Sequence, residues 1–143
     1  MNRKKFIATG CLSCLSGGLI LSVLESCSAT KIINASIAGS DLIVPLTDFE
    51  KSNRKFKKYL VVQNELLQYP VCVYRFDENY YEALLMKCTH QGAELQASGD
   101  MLHCPAHGSE FNNHGKVENG PASTPLRTFP VTIAANQLKI SLK

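Results

Sequence analysis

The sequence predicts an all-β fold: a small antiparallel β-sandwich or barrel with two Cys/His loops projecting from one end. Three observations predict it. From about residue 41 onward the apolar residues fall into short runs of strand length, each bounded by Gly, Pro, Asn or Asp. No stretch of this body keeps a helical period over three turns. The final run, "TIAANQLKISL", reads as two strands closing on a hairpin at Ala135–Asn136.

The elements follow in order. In the 143-residue chain, Arg3, Lys4 and Lys5 precede an uncharged, mostly apolar stretch from Phe6 to Leu24. This is the order of regions in an export signal. The stretch is also long enough to span a bilayer as a helix. "RKKFI" resembles a twin-arginine signal with lysine in the second arginine place, which would suit a protein that folds around a cofactor before export. "LESC" resembles a loose lipoprotein cleavage site and makes Cys27 a lipidation candidate. Residues 1–26 are therefore expected to be an export signal or membrane anchor, by lipid or by uncleaved helix. They place the body on the membrane, facing the periplasm.

Residues 27–40 are rich in small and polar side chains and read as a linker. The body, residues 41–143, then offers candidate strands at Leu42–Leu46, Tyr59–Gln63, Val71–Phe76, Tyr81–Lys87, Met101–Cys104, Phe129–Ala134 and Leu138–Leu142. "DFEKSNRKFKKY", residues 48–59, suits a short charged turn or loop whose cations form a solvated face. No internal repeat is present.

Charge excludes one class of partner. The chain holds 15 basic and 12 acidic residues, of which Arg3, Lys4, Lys5 and Glu25 lie within the first 26, leaving 12 and 11 in the remainder. A near-neutral body has no nucleic-acid footprint.

Six cysteines in a short exported chain would ordinarily suggest disulfides. Here Cys11 and Cys14 lie inside the apolar stretch and Cys27 at the processing site. Cys72 sits in the extended apolar run "PVCVYRF", where a free buried thiol is ordinary. Cys88 and Cys104 remain, each in a short loop that also carries a histidine: "CTHQG" and "CPAHGS". The ligand candidates are Cys88, His90, Cys104 and His107, spaced C-x-H, 13 residues, C-x-x-H. A structural zinc site usually separates paired ligands by two to four residues, because the chain must loop around one ion. The single residue between Cys88 and His90 fits that poorly. It fits two metals side by side, as in a [2Fe–2S] cluster with two cysteines on one iron and two histidines on the other.

At these residues the chain resembles the Rieske iron–sulfur proteins. "CTHQGA" and "CPAHGS" are similar to that family's two cluster-binding loops, and "GPASTPLRTFPV" from Gly120 to its proline-containing loop. The resemblance covers roughly residues 41–143. It implies that Cys88 and Cys104 hold the inner iron of a [2Fe–2S] cluster, and that His90 and His107 hold the outer one near solvent. Around them, Gly92 and Gly108 would permit backbone conformations that aim amides at the sulfurs. Pro105 would stiffen the second loop, and Ser109 would donate a hydroxyl hydrogen bond, raising the potential. Two departures stand out. Where quinol-oxidising members carry a disulfide between the loops, this chain has Ala93 and Ala106. Where they have a tyrosine, it has Phe111. Together these imply an intermediate potential.

His103, beside Cys104, should face the other side of its strand, and His114 should sit in a turn. Neither invites a functional role. They are also the only histidines left for the second iron site, of two histidines and a carboxylate, that an oxygenase needs. The expected function is therefore one-electron transfer, as the Rieske subunit of a membrane or periplasmic oxidoreductase. The expected partners are a cytochrome or another oxidoreductase subunit, with quinol as one candidate donor. The alternatives are a ferredoxin serving an oxygenase and a zinc-stabilised structural module.

Overall fold

A computed structural model describes residues 30–52 and 55–143. The expected signal, its apolar stretch and Cys27 lie outside the described residues. Among the described residues no helix is long and apolar enough to cross a membrane.

The chain is all-β. Its strands are β1 (Ile32–Asn34), β2 (Ser36–Ala38), β3 (Asp41–Pro45), β4 (Tyr59–Gln63), β5 (Val71–Arg75), β6 (Tyr81–Leu85), β7 (Gln96–Ser98), β8 (Met101–His103), β9 (Glu110–Asn112), β10 (Val117–Asn119), β11 (Thr128–Phe129), β12 (Val131–Ala134) and β13 (Gln137–Ser141). One 3-10 turn, Leu46–Phe49, follows β3. They form three sheets, ordered β1-β4-β5-β6-β11, β12-β13-β3-β2 and β10-β9-β8-β7. All pairings are antiparallel except that of β1 with β4.

The first sheet is the middle layer, and β5 shows why. Val71 and Val73 belong to one apolar cluster, with Leu42, Val44, Leu138 and Ile140 of the second sheet. Cys72 and Tyr74, one residue out of step, belong to the other, with Leu102 and Phe111 of the third. Successive side chains of a strand point to opposite faces, so a strand buried on both sides needs an unbroken apolar run. "VCVY" is that run, and all four residues are essentially inaccessible. Cys72 is an unpaired thiol in this core, as its sequence context indicated. The last hairpin also matches expectation: Ala135 and Asn136 both adopt positive φ, as a two-residue turn between twisted strands requires.

The linker reading needs correction. Residues 32–38, inside the stretch read as linker, form β1 and β2. Ile33 and Ala35 are buried in the core shared by the first two sheets, while Ile32, Asn34 and Ser36 between them are exposed. The alternation is genuine strand patterning, hidden because its inward positions include an alanine, Ala35, and its outward ones an isoleucine, Ile32.

The third sheet carries the site. β6 leads out of the middle layer into the first Cys/His loop, and β8 and β9 flank the second. Both loops therefore emerge at one end, as expected.

Candidate metal centre

The two loops are built on one backbone frame. In the first, the Cys88 amide donates to the Ala93 carbonyl at 2.8 Å and the Gly92 amide to the Cys88 carbonyl at 2.8 Å. In the second, the Cys104 amide donates to the Ser109 carbonyl at 2.8 Å and the Gly108 amide to the Cys104 carbonyl at 3.0 Å. Each glycine stands four residues after its cysteine, and each has φ of 77°. A side chain strains this left-handed conformation, so the frame calls for glycine. The histidines do not share the register. His90 is two residues after its cysteine and His107 three, an offset that the same frame accommodates.

The four candidate ligands are sorted by type and depth. Cys88 and Cys104 are 2% and 3% exposed, while His90 and His107 are exposed. Neither cysteine is in a disulfide. The Cys104 sulfur receives the amides of Ala106 and His107 and lies against the Cys88 thiol. Burial alone would raise the Cys104 pKa. The two amides and the neighbouring thiol outweigh it and hold the group below the usual thiol range, which favours the thiolate that metals bind. The imidazole rings meet edge to face with centroids 5.1 Å apart. Among the described residues no three His, Cys, Asp or Glu side chains are grouped as ligands of a single ion. The donors instead form two pairs, buried thiols and exposed imidazoles. That set fits a two-metal group with sulfur ligands inside and nitrogen ligands at the surface.

The surroundings hold the loops in place. Ser109, fully buried, accepts the Ala122 amide on its hydroxyl oxygen at 3.0 Å. Thr89 donates its hydroxyl to the Thr124 carbonyl at 2.7 Å. The segment from Gly120 to Pro125 is thus fastened to both loops. Tyr69 donates to the Gly92 carbonyl at 2.8 Å, bracing the first loop from outside. Phe111 is buried in the same apolar cluster as Cys88, Cys104 and Ala122. Pro105 and Ala106 are exposed on the outer turn of the second loop, and Ala93 is half-buried. Sequence reasoning singled out the proline-containing segment but not Thr89, Ala122 or Tyr69. All three of these contacts use a backbone atom on one side, which carries no residue signature.

The remaining histidines lie apart. His103 Nδ1 is 3.3 Å from Glu110 Oε1 across the β8–β9 pair. His114, in the turn after β9, bonds Glu82 at 2.8 Å and stacks on Phe76.

With this geometry in view, the comparisons define the class. The chain matches the Rieske [2Fe-2S] domain over residues 48–130, and it belongs to that family. It is 33% identical over 57 residues to the cytochrome b6-f complex iron-sulfur subunit of Chlorobaculum tepidum, a match spanning 38% of this chain and 32% of that one. It is 33% identical over 76 residues to ferredoxin CarAc of Metapseudomonas resinovorans, spanning 50% and 70% of the two. The chain thus covers about a third of the length of the b6-f subunit. Among solved structures it is similar to the cyanobacterial plasma membrane Rieske protein PetC3 from Synechocystis, with a TM-score of 0.51 and 29% identity over 59% of this chain and 86% of that one. As a Rieske protein the chain carries a [2Fe–2S] cluster and transfers electrons through it.

Proposed function

We propose that Cys88 and Cys104 hold one iron of the cluster and His90 and His107 the other, and that the chain is the Rieske component of a membrane-bound oxidoreductase facing the periplasm. When bound, the cluster supplies a one-electron carrier. The chain's own residues do the rest. The buried thiols and the amides of Ala106 and His107 stabilise negative charge inside the fold. The exposed imidazoles form the surface at which a partner closes to electron-transfer distance. The segment fastened through Ala122 and Thr124 keeps water from the sulfur side. Residues 1–26 tether the body to the membrane, through a helix or a lipid on Cys27, and its partner is a cytochrome or another oxidoreductase subunit.

The sorting of the four donors carries this reading: thiols together and buried, imidazoles together and exposed. Aerobically purified protein should contain two irons and two acid-labile sulfides per chain, with an electron-spin-resonance signal appearing on dithionite reduction. Stoichiometric zinc without spectral change would defeat it.

A specific observation favours a second reading, a ferredoxin serving an oxygenase. Ala93 and Ala106 leave no disulfide between the loops and Phe111 offers no hydroxyl, and the match to ferredoxin CarAc covers the larger share of both chains. Reduction by a quinol analogue, compared with reduction by a ferredoxin reductase, separates the two.

A further inference from the structure

At the end of the molecule opposite the site, the structure places several cations around the point where the chain enters the described fold, on the side formed by the segment after the 3-10 turn. β6 runs from Tyr81 to Leu85 and on to Cys88, and Tyr81 pairs with Arg75. Arg75 and the neighbouring Lys58, whose carbonyl accepts the Arg75 amide, therefore lie at the far end of the middle sheet from the loops. β1 is parallel to β4, with Ile32 opposite Val61, so Lys31 lies at that same far end. At roughly 3.3 Å per residue, a five-residue strand and its flanking turns keep this end well clear of the candidate centre.

The segment after the 3-10 turn closes over it. The Lys51 amide donates to the Lys55 carbonyl and the Lys57 amide to the Phe49 carbonyl, both at 2.7 Å. Lys31 pairs with Asp48 at 2.8 Å, and Lys57 donates to the Asp48 and Glu50 carbonyls. Partial burial, followed by the nearby Lys31 charge, lowers the Lys57 pKa, a sign of cations held close together. Asp48 is engaged by Lys31 and Asp100 by Lys58. Glu50 is the other acid on this segment, and Asp77 and Glu78 lie exposed in the neighbouring β5–β6 hairpin. Among the described residues Lys51, Lys55, Lys57 and Arg75 have no carboxylate partner. In their midst Phe56 is 45% exposed, with the Arg75 guanidinium 3.7 Å from its ring centroid. Phe56 gives this face an outward apolar group beside its cations. Cations around an exposed aromatic ring are the composition that rests in the headgroup layer of an anionic bilayer.

We infer that Lys51, Lys55, Lys57, Arg75 and Phe56 form a surface that seats the domain on anionic phospholipid headgroups, with the two Cys/His loops directed away from the membrane. The inference rests on the proposed tether through residues 1–26, which precede Lys31 and would bring this end to the bilayer. It goes beyond that tether by fixing the face presented and the lipid charge required.

The chain has no tryptophan, so Phe56→Trp in the full-length protein creates a sole reporter. The protein is mixed with vesicles of phosphatidylcholine, or of equal parts phosphatidylcholine and phosphatidylglycerol, with brominated acyl chains as quencher. Sedimentation reports the tether and tryptophan emission reports the surface. The expected result is sedimentation with both vesicles, and a blue shift and quenching only with phosphatidylglycerol. The shift should be lost in Lys51→Gln/Lys55→Gln and in high salt. Sedimentation with both but emission unchanged by phosphatidylglycerol overturns the surface and leaves the tether standing. Sedimentation with phosphatidylglycerol vesicles alone, with quenching, supports the surface and overturns the tether. No sedimentation overturns both.

Discussion

The Ser109 hydroxyl oxygen accepts the Ala122 amide at 3.0 Å inside a fully buried pocket. That bond uses the oxygen as acceptor and leaves its own O–H to donate elsewhere. The hydroxyl hydrogen can rotate toward a partner of its own. Ala122 belongs to the segment that bridges the two loops, so the serine links that segment to the sulfur side of the candidate centre.

Ser109→Ala should therefore lower the midpoint potential by about a few tens of millivolts or more, because a donor that favours the reduced, more negative state is lost. A one-electron shift of 59 mV corresponds to about 1.4 kcal/mol, the scale of one hydrogen bond to a charged group. The substitution also orphans the Ala122 amide, costing about 1–3 kcal/mol of stability. Protein-film voltammetry and thermal unfolding check the two effects separately.

Phe111→Tyr should raise the midpoint. Phe111 is buried beside Cys104 and Ala122 and offers no donor. From the retained serine, the missing hydroxyl and the alanines at 93 and 106, the midpoint of the unaltered protein is expected at roughly +50 to +200 mV, below the top of the span of Rieske centres. A value near +300 mV with Phe111 in place would show that these donors do not set the scale.

Gly108→Ala and Gly92→Ala should cost nearly the same, about 1–2 kcal/mol each. Both glycines have φ of 77°, and a Cβ would meet nothing within 4 Å at Gly108, and at Gly92 the flexible end of Lys87 at 3.2 Å and the Tyr69 hydroxyl in ordinary contact at 3.8 Å. The penalty then comes from backbone conformation alone, and Gly108→Asn should recover part of it. Denaturant unfolding of the cluster-loaded variants measures this.

Much of this was legible beforehand, and the exceptions have physical reasons. β5 was legible because burial on both faces demands an unbroken apolar run. The closing hairpin was legible because its turn stands between two runs of strand length, the second alternating buried Leu138 and Ile140 with exposed Lys139. β1 and β2 resemble a linker in sequence because an inward alanine and an outward isoleucine blur their alternation. β7, β9 and β10 are three residues each, too short to show a period, and are held by pairing with neighbours. The four ligand candidates stood out through residue type and spacing. The shared loop frame did not, because the histidines are out of register and the frame is made of backbone bonds.

Cys72 should remain unmodified by alkylating reagents in the native protein at pH 8. Burial pushes its pKa up to about 12, against a smaller opposing effect of the Tyr74 hydroxyl, so the thiolate is absent until far higher pH. Cys72→Ala should leave iron and sulfide content unchanged while lowering stability. Mass spectrometry after iodoacetamide treatment, with and without denaturant, reads the reactivity directly.

The central claim is that the two cysteines serve one iron and the two histidines the other. Mössbauer spectroscopy of protein loaded with iron-57 tests it most directly. The account predicts two quadrupole doublets of equal area in the oxidised protein, with clearly different isomer shifts for sulfur-ligated and nitrogen-ligated iron. After His107→Cys, one doublet should move toward the other. A single doublet from equivalent irons in the unaltered protein would contradict the account.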